Sequence, residues 1–216
     1  MKINSVNSTS FQSRNKTIRF ADDIARRVNV CYPRVSSTLV DDFINVKAFR
    51  QCQNRLYEKI SDFLRKDIGD SFDDADNFIG KILALIKPVK KYKVGNCGES
   101  AQLANIVAKV NGIKNCYIAS LKTTIGKNLD HSVLYVNDEK PYVIDAWLGF
   151  ADYVPNAMIR YNSEFKNHFF ILKGDKLTFK KLNNDFTKVL NQDFSRAQVN
   201  KLKKIYPEHV IKRGYV

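Results

Sequence analysis

The chain has 216 residues, 44% of them hydrophobic, and a formal net charge of +14. That is enough chain for one folded domain with its own core, and the composition excludes a disordered polypeptide. No apolar run approaches the ~20 residues that a membrane-spanning helix needs, and no hydrophobic signal segment opens the sequence, so neither a membrane span nor ordinary Sec export is expected.

The positive charge predicts an acidic partner, either a protein or an anionic membrane face. The lysines are spread along the chain ("KKYK", "KGDKLTFKK", "NKLKK") without an RNA-recognition signature or zinc-finger spacing, so nucleic acid is not expected. The cysteines, Cys31, Cys52, Cys97 and Cys116, include no C-x-x-C pair. A disulfide framework is therefore not expected, and a reducing compartment is.

Residues 1–19, rich in Ser, Asn and Thr, read as a flexible leader, because so few large apolar groups cannot offset the entropy of ordering. Polar leaders of this kind also occur on proteins exported by specialised bacterial secretion systems. Residues 20–216 read as a single α+β domain, with a helical region over 36–88, a mixed core over 92–182 and C-terminal helices over 185–216. No element is assigned to residues 20–35.

The first predicted helix is capped by Ser37 or Thr38, carries Asp41 and Asp42 in its first turns and stops at Gly69. A second, capped by Ser71 with an acidic first turn, places Phe78, Ile79, Ile82, Leu83, Leu85 and Ile86 at helical spacing up to Pro88. A third begins at Cys97 in "VGNCGESAQLANIVAKVNG", with Ala101, Ala104 and Ala108 on the same side as the cysteine, so that this helix can approach a sheet closely. Gly95 with Asn96 allows a tight turn before it, and Gly98 lets backbone run close to a ligand.

The period then changes. "CYIASLKT", "HSVLYVN" and "PYVIDAWLG" are short and rich in Val, Ile and Tyr, so they read as strands. "NDEKP" joins the last two as a hairpin, and "NHFFILKGDKLTFKKL" reads as another around Gly174-Asp175. Helices return from Asp185 onward.

Three of these elements carry chemistry. A cysteine at a helix start faces the positive end of the macrodipole, which favours thiolate by ~0.3–1 kcal/mol, so a further partner is needed for a strong nucleophile. His131 starts one strand, and Asp145, inside a buried-looking strand, must be paired. If "NDEKP" is the turn, the two fall near cross-strand register about residue 138. Cys97, His131 and Asp145 then supply a nucleophile, a base and an orienter. Backbone N–H groups at the helix start can stabilise an oxyanion. Asn96 or Gln102 can add a side-chain donor, and Trp147 can pack nearby or wall the cleft. A Cys-His-Asp zinc site would have too few ligands to be closed, so no metal is expected.

The stretches "GNCGESAQLA", "DHSVLYV" and "YVIDAW" resemble the papain-like and transglutaminase-like cysteine enzymes, most of all the bacterial effector and toxin branch. The resemblance implies a catalytic helix packed on a short antiparallel sheet, Cys97, His131 and Asp145 as catalytic residues, no cofactor, and amide chemistry on a protein: peptide cleavage, glutamine deamidation or acyl transfer. A second reading keeps the fold without the chemistry, as an inactive basic module that binds an acidic protein or an anionic membrane. Outside this constellation, Cys31, Cys52 and Cys116 read as packing, His168 as structural, His209 as solvated and Glu99 as a first-turn acid.

Overall fold

The computed structural model describes residues 16–32, 47–123, 128–165 and 176–211. Their elements follow the order α1 (Lys16–Cys31), α2 (Lys47–Asp73), α3 (Phe78–Tyr92), α4 (Cys97–Val110), β1 (Cys116–Thr123), β2 (Asn128–Val136), β3 (Tyr142–Asp145), β4 (Phe150–Tyr153), α5 (Val154–Phe165), β5 (Leu177–Lys181), α6 (Asp185–Asn191) and α7 (Arg196–Ile205), with a 3-10 turn at Pro207–His209. The strands form one antiparallel sheet in the order β4-β3-β2-β1-β5. The class is α+β, as expected. No described helix is long and apolar enough to cross a membrane.

Side-chain alternation gives the sheet two buried faces. Ile118, Leu134, Val136, Tyr142 and Ile144 pack with α1, α3 and α4 in the main core. Leu121, Val133, Val143, Phe150 and Leu177 pack on the other face with Ala157 and Tyr161 of α5. Every residue of α4 from Ala101 to Val110 except the half-buried Gln102 is buried, including Ala101, Ala104 and Ala108. A helix covered almost all round is the centre of its domain. Its buried Lys109 donates to the carbonyl oxygens of Leu190, at 2.6 Å, and Gln192, tying down the end of α6.

Several boundaries differ from expectation. The leader ends sooner, because α1 begins at Lys16 and buries Ile18 with Ala21, Ile24, Ala25 and Val28. The capping residues expected at Ser37 or Thr38, with Asp41 and Asp42, lie outside the described residues. α2 continues through Gly69 to Asp73. A helical glycine costs only about 1 kcal/mol, and the same helix packs Leu64, Ile68 and Phe72, the last with its ring 4.7 Å from that of Phe186. The cap of α3 is Asn77, not Ser71, and it accepts from the Gly80 N–H at 3.0 Å, so the aspartates precede the helix. α3 also passes Pro88, because Pro88 and Val89 are buried on its core face.

In the sheet, the strand expected over "PYVIDAWLG" stops at Asp145, and a turn closes at Gly149 with φ +73°. β4 and α5 follow, where no element was expected. β5 pairs with β1, and the other arm of the hairpin expected around Gly174-Asp175, with His168, lies outside the described residues. His209 is buried instead of solvated. Its ring stacks on Tyr206 with centroids 5.0 Å apart, and its Nε2 hydrogen-bonds with the Tyr32 hydroxyl, closing the C-terminal turn onto α1.

Candidate active site

Cys97 is the first residue of α4 and is half-buried. Its neighbours explain why the helix starts there. Asn96 and Glu99 form a capping box, in which the Glu99 carboxylate accepts the Asn96 backbone N–H at 2.8 Å. Glu99 also lies 3.8 Å from Arg65 of α2, so it does more than favour a first turn. A Cβ at Gly98 would meet nothing within 4 Å, which leaves open space beside the cysteine. The buried body of α4 holds this half-buried start in place.

His131 and Asp145 come together through the hairpin, in a register two residues from the expected one. β2 and β3 pair Leu134 with Ile144 and Val136 with Tyr142, which centres the hairpin on residue 139 and sets Asp145 opposite Val133. An even slip keeps both residues on the same face, so they remain diagonal neighbours. A bulge helps aim the histidine: between the pairs Ser120 with Ser132 and Lys122 with Asn128, one residue of β1 opposes three of β2, ending at His131. His131 Nε2 lies 2.6 Å from Asp145 Oδ2, with both side chains buried.

The Asp145 carboxylate receives four donors. Oδ2 accepts from His131 Nε2 and, at 2.9 Å, from the Tyr161 hydroxyl. Oδ1 accepts the backbone N–H groups of Trp147 at 3.1 Å and Leu148 at 2.9 Å. The aspartate thus shapes the turn that ends β3 and orients the imidazole at the same time.

Burial disfavours the charged imidazole, but the charge and hydrogen bond of Asp145, joined by the hydrogen bond and charge of Cys97, outweigh it and raise His131 to about 10. With Nε2 taken by Asp145, Nδ1 is the nitrogen left to face Cys97. His131 thus stands between the Cys97 sulfur and the Asp145 carboxylate. Burial pushes the Cys116 thiol up to about 11, as suits the packing role expected of it. Cys31 is raised by burial too.

Of the remaining candidates, Asn96 is the helix cap beside Cys97. Gln102 lies five residues along α4, about 140° around the helix from Cys97, and is not brought to the cluster. Trp147 lies against His131, with ring centroids 5.4 Å apart, and its indole N–H is buried with no acceptor among the described residues. Tyr161 was not anticipated. Its signal was present, since Val154, Ala157, Met158 and Tyr161 recur at helical spacing behind Pro155, a residue favoured in a first turn. Among the described residues no group of three or more His, Cys, Asp or Glu side chains could hold a metal ion. No protein-family model matches the sequence, no curated protein matches it, and no solved structure matches it.

Proposed function

We propose that the protein is a thiol-dependent amide hydrolase or acyltransferase acting on a protein substrate, with α4 and the sheet forming a papain- or transglutaminase-like core. The observation that carries the reading is the buried imidazole of His131, which hydrogen-bonds Cys97 on one side and Asp145, at 2.6 Å, on the other.

In this reading the Cys97 thiolate attacks the carbonyl carbon of an amide. The N–H groups in the first turn of α4 receive the oxyanion. The Nδ1 proton of His131 passes to the departing nitrogen, and the C–N bond breaks to leave a thioester. Water then attacks the thioester with His131 as base, releasing a carboxylic acid. An amine in place of water gives acyl transfer. Asp145 keeps Nε2 protonated throughout, which leaves Nδ1 to handle the moving proton. Cys31, Cys97 and Cys116 form no disulfide with one another, which suits a reducing compartment such as the host cytoplasm reached by a secreted bacterial effector.

A thiol-directed, amide-mimicking electrophile tests the reading. It should label native protein at Cys97 and stop labelling when His131 is replaced. Native protein that stays unlabelled would favour the inactive binding module. Intact-mass spectrometry of candidate substrates then separates deamidation, a gain of about one dalton, from cleavage into fragments.

A further inference from the structure

α5 closes the face of the sheet on which His131 and Asp145 lie, and the residue it delivers there is a tyrosine. Tyr161 is fully buried, with its ring edge-on to His131 at 5.6 Å and further contacts to Phe150 at 5.6 Å and Phe179 at 6.3 Å. Among those aromatic neighbours a phenylalanine would fill the space, and a buried hydroxyl is unfavourable unless bonded. Here the hydroxyl donates to Asp145 Oδ2, the same oxygen that holds His131 Nε2.

We propose that Tyr161 is a positioning residue of the Cys97–His131–Asp145 site: its hydroxyl fixes the shared carboxylate oxygen and draws off part of its charge, and so sets how strongly His131 holds its proton. The inference rests on the reading of the site as nucleophile, base and orienter. Donors to a carboxylate stabilise its charge, and in a dry site that effect is strong. A carboxylate with one donor fewer attracts the imidazolium more, making the imidazole slower to release its proton to a leaving group. Burial, with the adjacent carboxylate, pushes the Tyr161 hydroxyl far up, so it remains an O–H donor. Among the described residues the titratable groups facing His131 are Cys97 from α4, Asp145 from β3 and Tyr161 from α5. Arg160 acts on Tyr161 from its own helix, and Glu99 in the first turn of α4 lies beside Arg65.

The test is an NMR titration of the full-length, histidine-labelled chain, with the three imidazoles assigned by His→Gln variants. In Tyr161→Phe the His131 midpoint should rise by about half a pH unit or more, roughly threefold in the proton equilibrium. A shifted parent with the same midpoint in the variant, or a lower one, overturns this proposal alone. A parent His131 that titrates like a free imidazole overturns the reading of the site, and this proposal with it. Should Tyr161→Phe fail to fold, incorporation of 3-fluorotyrosine, a stronger donor, should lower the midpoint. An unmoved or raised midpoint there also overturns the proposal.

Discussion

Replacing Asp145 by asparagine exchanges one acceptor oxygen for an NH2 group at the centre of four donors. The backbone N–H groups of Trp147 and Leu148 can only donate, so the amide oxygen must stay on their side, where Oδ1 now accepts them at 3.1 and 2.9 Å. The NH2 group is then turned toward His131 Nε2 and the Tyr161 hydroxyl, which stand 2.6 and 2.9 Å from Oδ2. The tyrosine can rotate its hydroxyl and accept. The histidine can accept only by moving its proton to Nδ1, which is the wrong tautomer and no longer an imidazolium. A hydrogen bond to a charged group contributes ~1.5–3 kcal/mol, and at ~1.4 kcal/mol per decade this is roughly ten- to a hundredfold. The equivalent change in serine proteases costs about 10⁴ in turnover, and a thiol, which ionises more readily, should lose less. The assay is the rate of iodoacetamide alkylation at Cys97, resolved by peptide mass spectrometry at pH 6. The expected fall is roughly 10- to 100-fold. Alkylation at the parental rate in a folded Asp145→Asn protein would refute the argument that the carboxylate sustains the ion pair.

Three further outcomes follow from the same geometry. Cys97→Ala should abolish labelling by the amide-mimicking probe while shifting stability by no more than about 1 kcal/mol, because the side chain is only half-buried; denaturant melts and labelling check both parts. His131→Ala should lower turnover on an identified substrate by ~10²–10⁴-fold and destabilise by about 3 kcal/mol, the low end for a broken buried pair, because three donors to Asp145 remain. In the parent, the folded state holds the His131 proton between the ordinary 6.5 and about 10, so that contribution is full below pH 6.5 and is lost as pH rises toward 10. His209 has the opposite sign: burial pulls it down to about 4, the unfolded chain binds the extra proton between 4 and 6.5, and stability falls as pH drops through that window. His209→Gln should therefore raise the urea midpoint at pH 5 relative to that at pH 7, compared with the parent.

The parts of the fold legible in the sequence were those whose side chains repeat a simple period. β1, β2 and the hairpin could be read from alternating Val, Ile and Tyr, and the parity of that alternation set His131 and Asp145 on one face even though the pairing slipped by two residues. The slip itself was not legible, because turn length depends on bonds made elsewhere, such as Asn137 N–H to Asn115 O and Val154 N–H to Pro141 O. α1 was missed because its core stripe is narrow, with two alanines and an aspartate among its six buried residues, and its first turn lies inside a polar segment. The burial of His209 depends on tertiary partners, Tyr32 and Tyr206, one of which is far away in sequence. At the site, Cys97, His131 and Asp145 were legible from residue type and local pattern. The fourth member, Tyr161, belongs to a helix whose spacing was readable but whose proximity to Asp145 only the packing of α5 reveals.

The central claim is that His131 activates Cys97 as the nucleophile, and the most direct measurement is the rate at which the amide-mimicking electrophile labels Cys97 in native protein, in His131→Ala and in the same chain unfolded in urea. The account predicts labelling of native Cys97 at least about tenfold faster than in either His131→Ala or the unfolded chain, on the order of the smallest effect of a positioned acid/base. Equal labelling rates in the native, variant and unfolded chains would contradict it.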